Sequence, residues 1–302
     1  MLLCIGEILA DMIGEEKNGV TTYERKAGGA PFNVACALKK FGRDVRFVGS
    51  VGDDLIGQFL VRYAEDFGMD TAYIQMLPDR NTTLAFVELS EEGDRSFCFY
   101  RKGTADYVMP EVSDALLGAA DIVCIGSLML SEESGLAYAC DVARRVHALG
   151  KTVAFDINFR TDIYRDLENA KATYKQLLAM ADIVKLSEDE VEIFGEEYVS
   201  SLSDKVVFVT LGKKGGEWRY RGRSNRLPTV DIKPVDTTGA GDAFFAGALS
   251  VLDKHPGAPI TDALLDDAVN FGNVTGALNT LGRGAIDNLP DLDTVYKYLT
   301  KN

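Results

Sequence analysis

A run of small and acidic residues at the start of a helix has the composition of a site that binds an anion and moves a proton. The run 236–242, Asp-Thr-Thr-Gly-Ala-Gly-Asp, precedes an apolar stretch over 243–249, which indicates a turn followed by a helix. Residues 239–241 carry almost no side chain, so the free N–H groups of the first helical turn can approach a phosphate, aided by the helix dipole. Asp242 is then placed to accept a proton from an incoming hydroxyl. The alternative is an acid that only complements the helix dipole after a tight turn.

A second glycine-rich run could hold a sugar. In the run 27–38, Gly28 and Gly29 stand directly before a predicted helix that carries Asn33 in its first turn. Exposed backbone amides and a short amide side chain can bind a polyol by hydrogen bonds. A glycine pair before a helix is also an ordinary turn, and the residues alone leave both interpretations open.

The composition favours a protein that acts on a small molecule. The 302 residues are 46% hydrophobic, enough for one large α/β domain, and the formal net charge is -14. So acidic a chain argues against nucleic acid and anionic membranes as partners. Five cysteines without a Cys-x-x-Cys pair predict a reducing, cytoplasmic location and neither a disulfide framework nor a zinc site. The chain begins with an apolar strand and holds no run of 18 apolar residues, so we expect no export signal and no membrane span.

Short apolar strands alternate with amphipathic helices along most of the chain. Strands are predicted over 1–5, 46–51, 122–125, 153–157, 183–186 and 206–210, and helices over 55–67, 133–149, 168–181, 240–252 and 262–280. This alternation predicts right-handed crossovers and a mostly parallel sheet covered by helices on both faces. Ligands of such sheets bind at the carboxyl ends of the strands.

Two segments, 9–25 and 82–107, break this alternation. The second predicts a hairpin with strands over 83–89 and 96–101 around a turn at 90–94. Its alternating apolar and polar positions fit a small separate sheet that closes over a ligand as a lid. A hairpin at the edge of the main sheet is the alternative. A lid with one exposed apolar face also predicts that two subunits pair across it as a homodimer.

Both glycine-rich runs resemble the signatures of the ribokinase-like (PfkB-type) carbohydrate kinases. The Gly-Gly-Ala-Pro form of the run 27–38 is similar to the fructokinase branch, and the resemblance extends to Gly6-Glu7 with Asp11, to the run 48–57 and to Phe99-Tyr100-Arg101. It implies a three-layer α/β/α sandwich with a mostly parallel central sheet and a small β-sheet lid. One domain would span 1–302, with the lid formed by about 9–25 and 82–107.

The resemblance also implies roles in catalysis and sugar binding. Asp242 would be the general base, the amides of Gly239, Ala240 and Gly241 would form the anion hole, and Arg160 would hold the transferred phosphoryl group. Sugar hydroxyls would be bound by Asp11, Gly28, Gly29 and Asn33, with Phe99 and Arg101 closing over them. The alternatives are a strand-end carboxylate for Asp11 and a surface ion pair with Asp162 or Asp166 for Arg160. The family often has Pro where this chain has Ile157.

Nucleotide and ion sites are implied in the same way. ATP would be contacted by Ser187, Thr210, Gly212, Lys213, Gly215, Asn270 and Asn273. Phosphoryl transfer from ATP needs Mg²⁺, which Glu190 would hold through water. Asp236, Thr238 and Gly284 would hold K⁺ or another monovalent cation. A helix capping box explains Ser187 and Glu190 equally well, and an ordinary turn explains 210–216.

These observations predict an ATP-dependent sugar kinase, and the resemblance to the fructokinase branch implies fructose as the acceptor, phosphorylated at its 6-hydroxyl. No Gly-x-x-x-x-Gly-Lys-Ser/Thr loop is present, and the Gly-x-Gly at 239–241 lacks the ending of a dinucleotide fingerprint, which excludes a Walker-type NTPase and a dinucleotide-binding dehydrogenase. A 2-keto-3-deoxygluconate kinase remains the alternative enzyme. A non-catalytic regulator that binds sugar or nucleotide is the alternative of another class.

Overall fold

Strands and helices alternate along most of the chain in the computed structural model of the protein, which describes residues 1–89 and 95–300. The strands are β1 Leu2–Ile5, β2 Leu9–Lys17, β3 Val20–Gly28, β4 Val45–Gly52, β5 Ile74–Leu77, β6 Leu84–Leu89, β7 Arg95–Tyr100, β8 Ile122–Ile125, β9 Thr152–Asp156, β10 Ile183–Ser187, β11 Val206–Thr210, β12 Gly216–Tyr220 and β13 Arg223–Leu227. The α-helices are α1 Ala30–Lys40, α2 Leu55–Asp66, α3 Asp114–Ala119, α4 Glu133–Ala148, α5 Leu167–Met180, α6 Glu188–Phe194, α7 Glu196–Ser201, α8 Ala240–Leu252, α9 Asp262–Asn279 and α10 Leu292–Leu299.

The large sheet is mostly parallel, as predicted. Within the described residues its strand order is β13-β12-β11-β10-β9-β8-β1-β4-β5. The strands from β11 to β5 run parallel to one another, and the antiparallel hairpin of β12 and β13 extends one edge. The sequence analysis did not predict this hairpin, because its strands follow a glycine loop and β13 is largely exposed.

Helices cover both faces of the large sheet because its strands are apolar on both sides. Alternate side chains of a strand point to opposite faces. Leu2 and Cys4 of β1 therefore join a core with α1, α8 and α9, whereas Leu3 and Ile5 join a second core with α4 and α5. No α-helix among the described residues is long and apolar enough to cross a membrane.

The remaining strands form a separate small sheet with the order β3-β2-β6-β7. The predicted hairpin is present as β6 and β7, paired antiparallel, and its predicted turn at 90–94 lies outside the described residues. The alternative of an edge hairpin on the large sheet is wrong. Asp54, the N-cap of α2, also accepts a hydrogen bond from the N–H of Thr82 at 2.7 Å, which fixes the chain just before β6.

Candidate active site

The turn before α8 closes tightly because its glycines face other parts of the chain. Gly239 has a φ of 73°, in the left-handed region that favours glycine, and an added Cβ would lie 2.7 Å from the Cα of Ala285. A Cβ added to Gly241 would lie 2.9 Å from the Nζ of Lys185. No side chain caps α8 at Gly239. The start of α8 therefore packs against the loop at Ala285 and against Lys185 of β10, and Gly239 and Gly241 present unblocked backbone to the cavity that they line.

Asp242, in the first turn of α8, faces α1 across this cavity. The Nδ2 of Asn33 donates a hydrogen bond to its Oδ2 at 2.8 Å. Burial raises the pKa of Asp242, and the charge of Lys185, the Asn33 hydrogen bond and the charge of Arg160 oppose that rise. The carboxylate is thus oriented by a neighbour from the glycine-rich turn, as a general base requires.

The first cavity has a volume of about 300 Å³, and we call it the sugar cavity after the ligand that the sequence analysis predicts for its residues. It lies at the carboxyl ends of the parallel strands and brings together residues from α1, α8 and both sheets. Its lining residues are Glu7, Leu9, Asp11, Gly29, Ala30, Asn33, Phe99, Leu128, Asn158, Arg160, Lys185, Thr237, Thr238, Gly239, Gly241 and Asp242.

The glycine pair before α1 lies directly against the acids at the end of β1 and the start of β2. A Cβ on Gly28 would collide with the carboxylate of Asp11, and a Cβ on Gly29, at φ 108°, would lie 2.5 Å from the carbonyl oxygen of Glu7. Gly28 itself does not line the sugar cavity, whereas Gly29 and Asp11 do. The close packing of the backbone by itself requires glycine at positions 28 and 29, whether or not a ligand binds there.

Two residues predicted to close over the sugar lie in different places. Phe99 of β7 lines the sugar cavity. Arg101 is outside the lining, where its Nε donates to Asp106, its Nη1 donates to Ser131 at 2.5 Å, and its guanidinium stacks over Tyr107. In this structure Arg101 anchors the chain after β7.

A second cavity of about 370 Å³ shares Thr237 and Gly241 with the sugar cavity, and we call it the nucleotide cavity after the ligand that the sequence analysis predicts for its residues. Five predicted nucleotide residues line it, namely Thr210, Gly212, Lys213, Gly215 and Asn273, together with Ala240 from the predicted anion hole. Ser187 and Asn270 are not in its lining. The two cavities therefore join at the start of α8, where a chain of phosphates could pass from one to the other.

The predicted magnesium residue Glu190 takes part in a capping box. Its Oε2 accepts the N–H of Ser187 at 2.6 Å, while the hydroxyl of Ser187 accepts the N–H of Glu190 at 3.2 Å. Its Oε1 accepts the N–H of Phe159 at 2.6 Å. Glu190 thus joins the end of β10 to the chain that follows β9. No group of three or more His, Cys, Asp or Glu side chains suited to a metal ion is found in residues 1–89 and 95–300.

The predicted monovalent-cation residues meet around Asp236. Its Oδ1 accepts the N–H of Thr238 at 2.7 Å, and its Oδ2 accepts the N–H of Gly284 at 3.0 Å. Gly284 has a φ of 92°, which orients the loop 282–286 next to the turn before α8. The residues that the sequence placed in one site are therefore neighbours, although far apart in the chain.

Several cavity residues were given no role in the sequence analysis. Lys185 bonds both oxygens of Asp156 at 3.0 Å, and Glu7 is a buried carboxyl whose pKa burial raises to about 8. Asn158 follows β9 with a φ of 38°, and Thr237 lines both cavities. A charged residue inside an otherwise apolar strand, as in Ile183–Ser187, is the signal that could have identified Lys185.

Comparisons with known proteins point to one family. The family model of the pfkB family carbohydrate kinases matches residues 1–292. A fructokinase of Vibrio alginolyticus is 30% identical over 303 residues, covering 97% of each chain. The structure of a Xylella fastidiosa fructokinase with bound ATP superimposes with a TM-score of 0.90 at 30% identity, covering 99% of this chain and 98% of the other. A Vibrio cholerae fructokinase double mutant in a form with fructose, ADP and potassium ion matches with a TM-score of 0.87 at 28% identity, covering 99% and 97%.

This chain belongs to the pfkB family of carbohydrate kinases. The resemblance predicted from the two glycine-rich runs is confirmed, as is the α/β fold with a mostly parallel sheet and a small separate sheet.

Proposed function

We propose that this protein transfers the γ-phosphoryl group of ATP to the 6-hydroxyl of D-fructose. The observation that carries the proposal is the position of Asp242, oriented by Asn33, in the sugar cavity next to its junction with the nucleotide cavity. A base at such a junction can reach a hydroxyl on one side while phosphate lies on the other. The relatives named above are fructokinases, which supports fructose as the acceptor.

The proposed step is an in-line transfer. Asp242 accepts the proton of the hydroxyl, whose oxygen forms a bond to the γ-phosphorus, while the bond to the β,γ-bridging oxygen breaks and its electron pair leaves with ADP. The amides of residues 239–242 and the guanidinium of Arg160 stabilise charge on the phosphoryl oxygens. Phe99 and the small sheet act as a lid that excludes water.

Mg²⁺ bound to the nucleotide would neutralise phosphate charge during this transfer. Each oxygen of Glu190 accepts one backbone hydrogen bond, and a carboxylate oxygen has a second lone pair for a water. Glu190 therefore fits a role in holding the ion through water. Mg²⁺ commonly keeps several waters and takes its other ligands from substrate phosphates.

The loop 282–286 is the proposed site of a monovalent cation such as K⁺. Asp236, in the turn before α8, holds this loop through its hydrogen bond from Gly284. One of the structural relatives is described with potassium ion bound, which supports this assignment. A cation beside Gly284 would add positive charge next to the anion site at the start of α8.

The polar groups at the sugar end of the sugar cavity favour a neutral acceptor. Asp11 lines the cavity beside Gly28, whereas the cations among the described lining residues, Arg160 and Lys185, lower the pKa of Asp242. The carboxylate of a sugar acid such as 2-keto-3-deoxygluconate would be repelled by the carboxylate of Asp11 there. We therefore expect neutral ketoses to be preferred.

The test is a comparison of kcat/KM over fructose, ribose, 2-keto-3-deoxygluconate and adenosine with Mg-ATP. Fructose should give the highest value, and NMR of the product should place the phosphate on C6. A higher value for the sugar acid would contradict the assigned acceptor. Absence of ADP formation with every acceptor would favour a non-catalytic regulator.

We further propose that the protein is a cytoplasmic homodimer that pairs through the small sheet. Tyr23, Phe86 and Tyr100 form an aromatic cluster on one face, with ring centroids 5.0 and 5.1 Å apart, and Tyr100 is 63% exposed. An exposed aromatic cluster of this kind suits an interface between copies of the chain. The free state of all five cysteines is consistent with a reducing compartment.

A further inference from the structure

Lys185 is a buried cation at the carboxyl end of β10 that the proposed mechanism does not yet use. Its side chain is 7% exposed, and its Nζ lies 3.0 Å from each oxygen of Asp156 at the end of the neighbouring strand. An ammonium has three N–H donors, and no hydrogen bond from this Nζ to any other described residue is present. Because Lys185 lines the sugar cavity, its third donor is available to a ligand there.

The ammonium lies directly beneath the predicted anion site. The missing Cβ of Gly241 would be 2.9 Å from Nζ, so a glycine at this position lets the first turn of α8 rest against the lysine. Arg160 lines the same cavity. Burial alone would lower the pKa of Lys185, but the nearby charge of Asp156 raises it, so the side chain stays protonated.

An ion pair in this position needs a reason other than stability. The neighbouring side chains Val184 and Leu186 are fully buried and apolar, and replacing a buried ion pair by apolar residues is commonly neutral or stabilising. A structural pair would also be expected to use up its donors within the protein. Lys185 instead combines a fixed partner on one side with a cavity on the other.

We propose that Lys185 is a further catalytic residue, whose third N–H donates to an oxygen of the transferred phosphoryl group, and that Asp156 positions it. This inference rests on the proposed function. The γ-phosphorus moves from the β,γ-bridging oxygen to the acceptor oxygen, with negative charge on its three outer oxygens. Lys185, the amides at the start of α8 and Arg160 stabilise this charge. The hydroxyl proton still goes to Asp242, and Lys185 neither gains nor loses one.

The test compares Lys185→Met with the double variant Asp156→Asn/Lys185→Met. The single variant leaves a buried carboxyl without its partner, whereas the double variant is neutral and of similar volume, so it should fold even where the single variant does not. The control is Lys205→Met, which removes another buried lysine, whose Nζ donates to the carbonyl oxygens of Ala179 and Ala181 and lies 3.8 Å from the exposed carboxylate of Asp204. Thermal unfolding and the affinities for ADP and fructose report whether each variant is intact.

We expect both Lys185 variants to lower kcat by about 10²-fold or more, with KM for fructose and Kd for ADP within about threefold of wild type. Lys205→Met should keep kcat within about twofold. A double variant that turns over within about fivefold of wild type, or one that loses ADP and fructose binding in parallel with kcat, would show a structural pair and overturn the proposal.

The outcome can be separated from failure of the proposed function. If wild type transfers phosphate to another acceptor, the same comparison is made with that acceptor. If wild type transfers to none, the measurement is the affinity for a nonhydrolysable β,γ-imido ATP analogue relative to ADP. A loss of about tenfold for the analogue alone supports the contact of Lys185 with the terminal phosphate. An unchanged ratio overturns it.

Discussion

At the scale of single residues, Asp242 combines two opposing influences on its basicity. A position in the first turn of a helix favours the ionised form, and so do Lys185, Asn33 and Arg160. Burial outweighs them and raises the pKa of Asp242 above its ordinary value. This suits a loose phosphoryl transfer, in which the hydroxyl loses its proton late and the position of the base matters more than its strength.

Replacing Asp242 by Asn should therefore remove catalysis while leaving the structure of the site intact. We expect kcat to fall by roughly 10²- to 10⁴-fold with KM for fructose and the affinity for ATP largely kept, because the amide cannot accept the proton but can still pair with Asn33. Steady-state kinetics with isothermal titration measures both effects. Asp293→Asn, an acid in the first turn of α10, is the control. Turnover of Asp242→Asn within threefold of wild type would reject the assignment.

Glu7 should make the free energy of unfolding depend on pH. Burial raises its pKa from 4.5 to about 8, with Arg101 lowering it and Asp106 and Asp242 raising it. Between these values the folded protein holds a proton that the unfolded chain releases, so stability falls as pH rises from about 4.5 to 8. Glu7→Gln should reduce this fall by a few kcal/mol, since one pKa unit corresponds to about 1.4 kcal/mol.

Urea unfolding at pH 5 and pH 8 measures the effect of Glu7→Gln. The exposed Glu192 of α6 offers the control substitution Glu192→Gln, which should leave the pH dependence unchanged. If the wild-type and Glu7→Gln stabilities kept the same difference at both pH values, Glu7 would not be the group responsible.

At the scale of elements, the turn between β3 and α1 is set by how closely it approaches β1. Gly29 combines a φ of 108° with a position where a Cβ would lie 2.5 Å from a backbone oxygen that cannot move aside easily. The turn holds Asn33 in place, because Asn33 lies one helical turn after Gly29 and its N–H donates a hydrogen bond to the carbonyl oxygen of Gly29 at 2.8 Å. A substitution at Gly29 should therefore displace Asn33 and, through the hydrogen bond between Asn33 and Asp242, change the position of the Asp242 carboxylate.

Gly29→Ala should destabilise the protein by about 2–4 kcal/mol, the sum of an unfavourable backbone conformation and overpacking. The matched control is Gly195→Ala at the junction of α6 and α7, where φ is 88° but an added Cβ would have no atom of the described residues within 4 Å, apart from its own chain neighbours. That variant should lose only about 1–2 kcal/mol, from the backbone conformation alone. Equal losses in urea unfolding would show that the contact with Glu7 does not matter.

At the scale of the whole molecule, a salt bridge joins β3 of the small sheet to the rest of the protein. Lys26 of β3 pairs with Asp287 at 2.8 Å, and Asp287 also accepts a hydrogen bond from Tyr63 of α2 at 2.9 Å. The far end of β3 is exposed from Val20 to Arg25. The aromatic cluster of Tyr23, Phe86 and Tyr100 on the open face is where we expect the proposed second subunit to add contacts.

The double variant Tyr23→Lys/Tyr100→Lys should convert the proposed dimer into a monomer. Two lysines on each copy would place four positive charges at the interface and remove its aromatic contacts. Size-exclusion chromatography with light scattering measures the mass, which should fall from twice the chain mass to once. Leu167→Lys, at an exposed apolar position of α5, should leave the mass unchanged. A monomeric wild-type protein would contradict the proposed interface.

Much of the fold could be predicted because its signals are local. The strand 206–210 and the helix starting at 240 agree with β11 and α8 within the described residues, since apolar runs and glycine turns act over a few neighbouring residues. The hairpin of β12 and β13 was missed because an exposed edge strand such as Arg223–Leu227 has no apolar pattern. Its pairing depends on contact with β11.

The sequence by itself determined the family, the parallel sheet and the glycine-rich turns, because those depend on residue types at short spacing. Only the tertiary structure decided which distant residues share the site. It brought Lys185 of β10 against Gly241 of α8, and it left Arg101 paired with Asp106 outside the sugar cavity. The physical reason is that strand order and helix packing, and not separation along the chain, set the distances between side chains at the carboxyl ends of a parallel sheet.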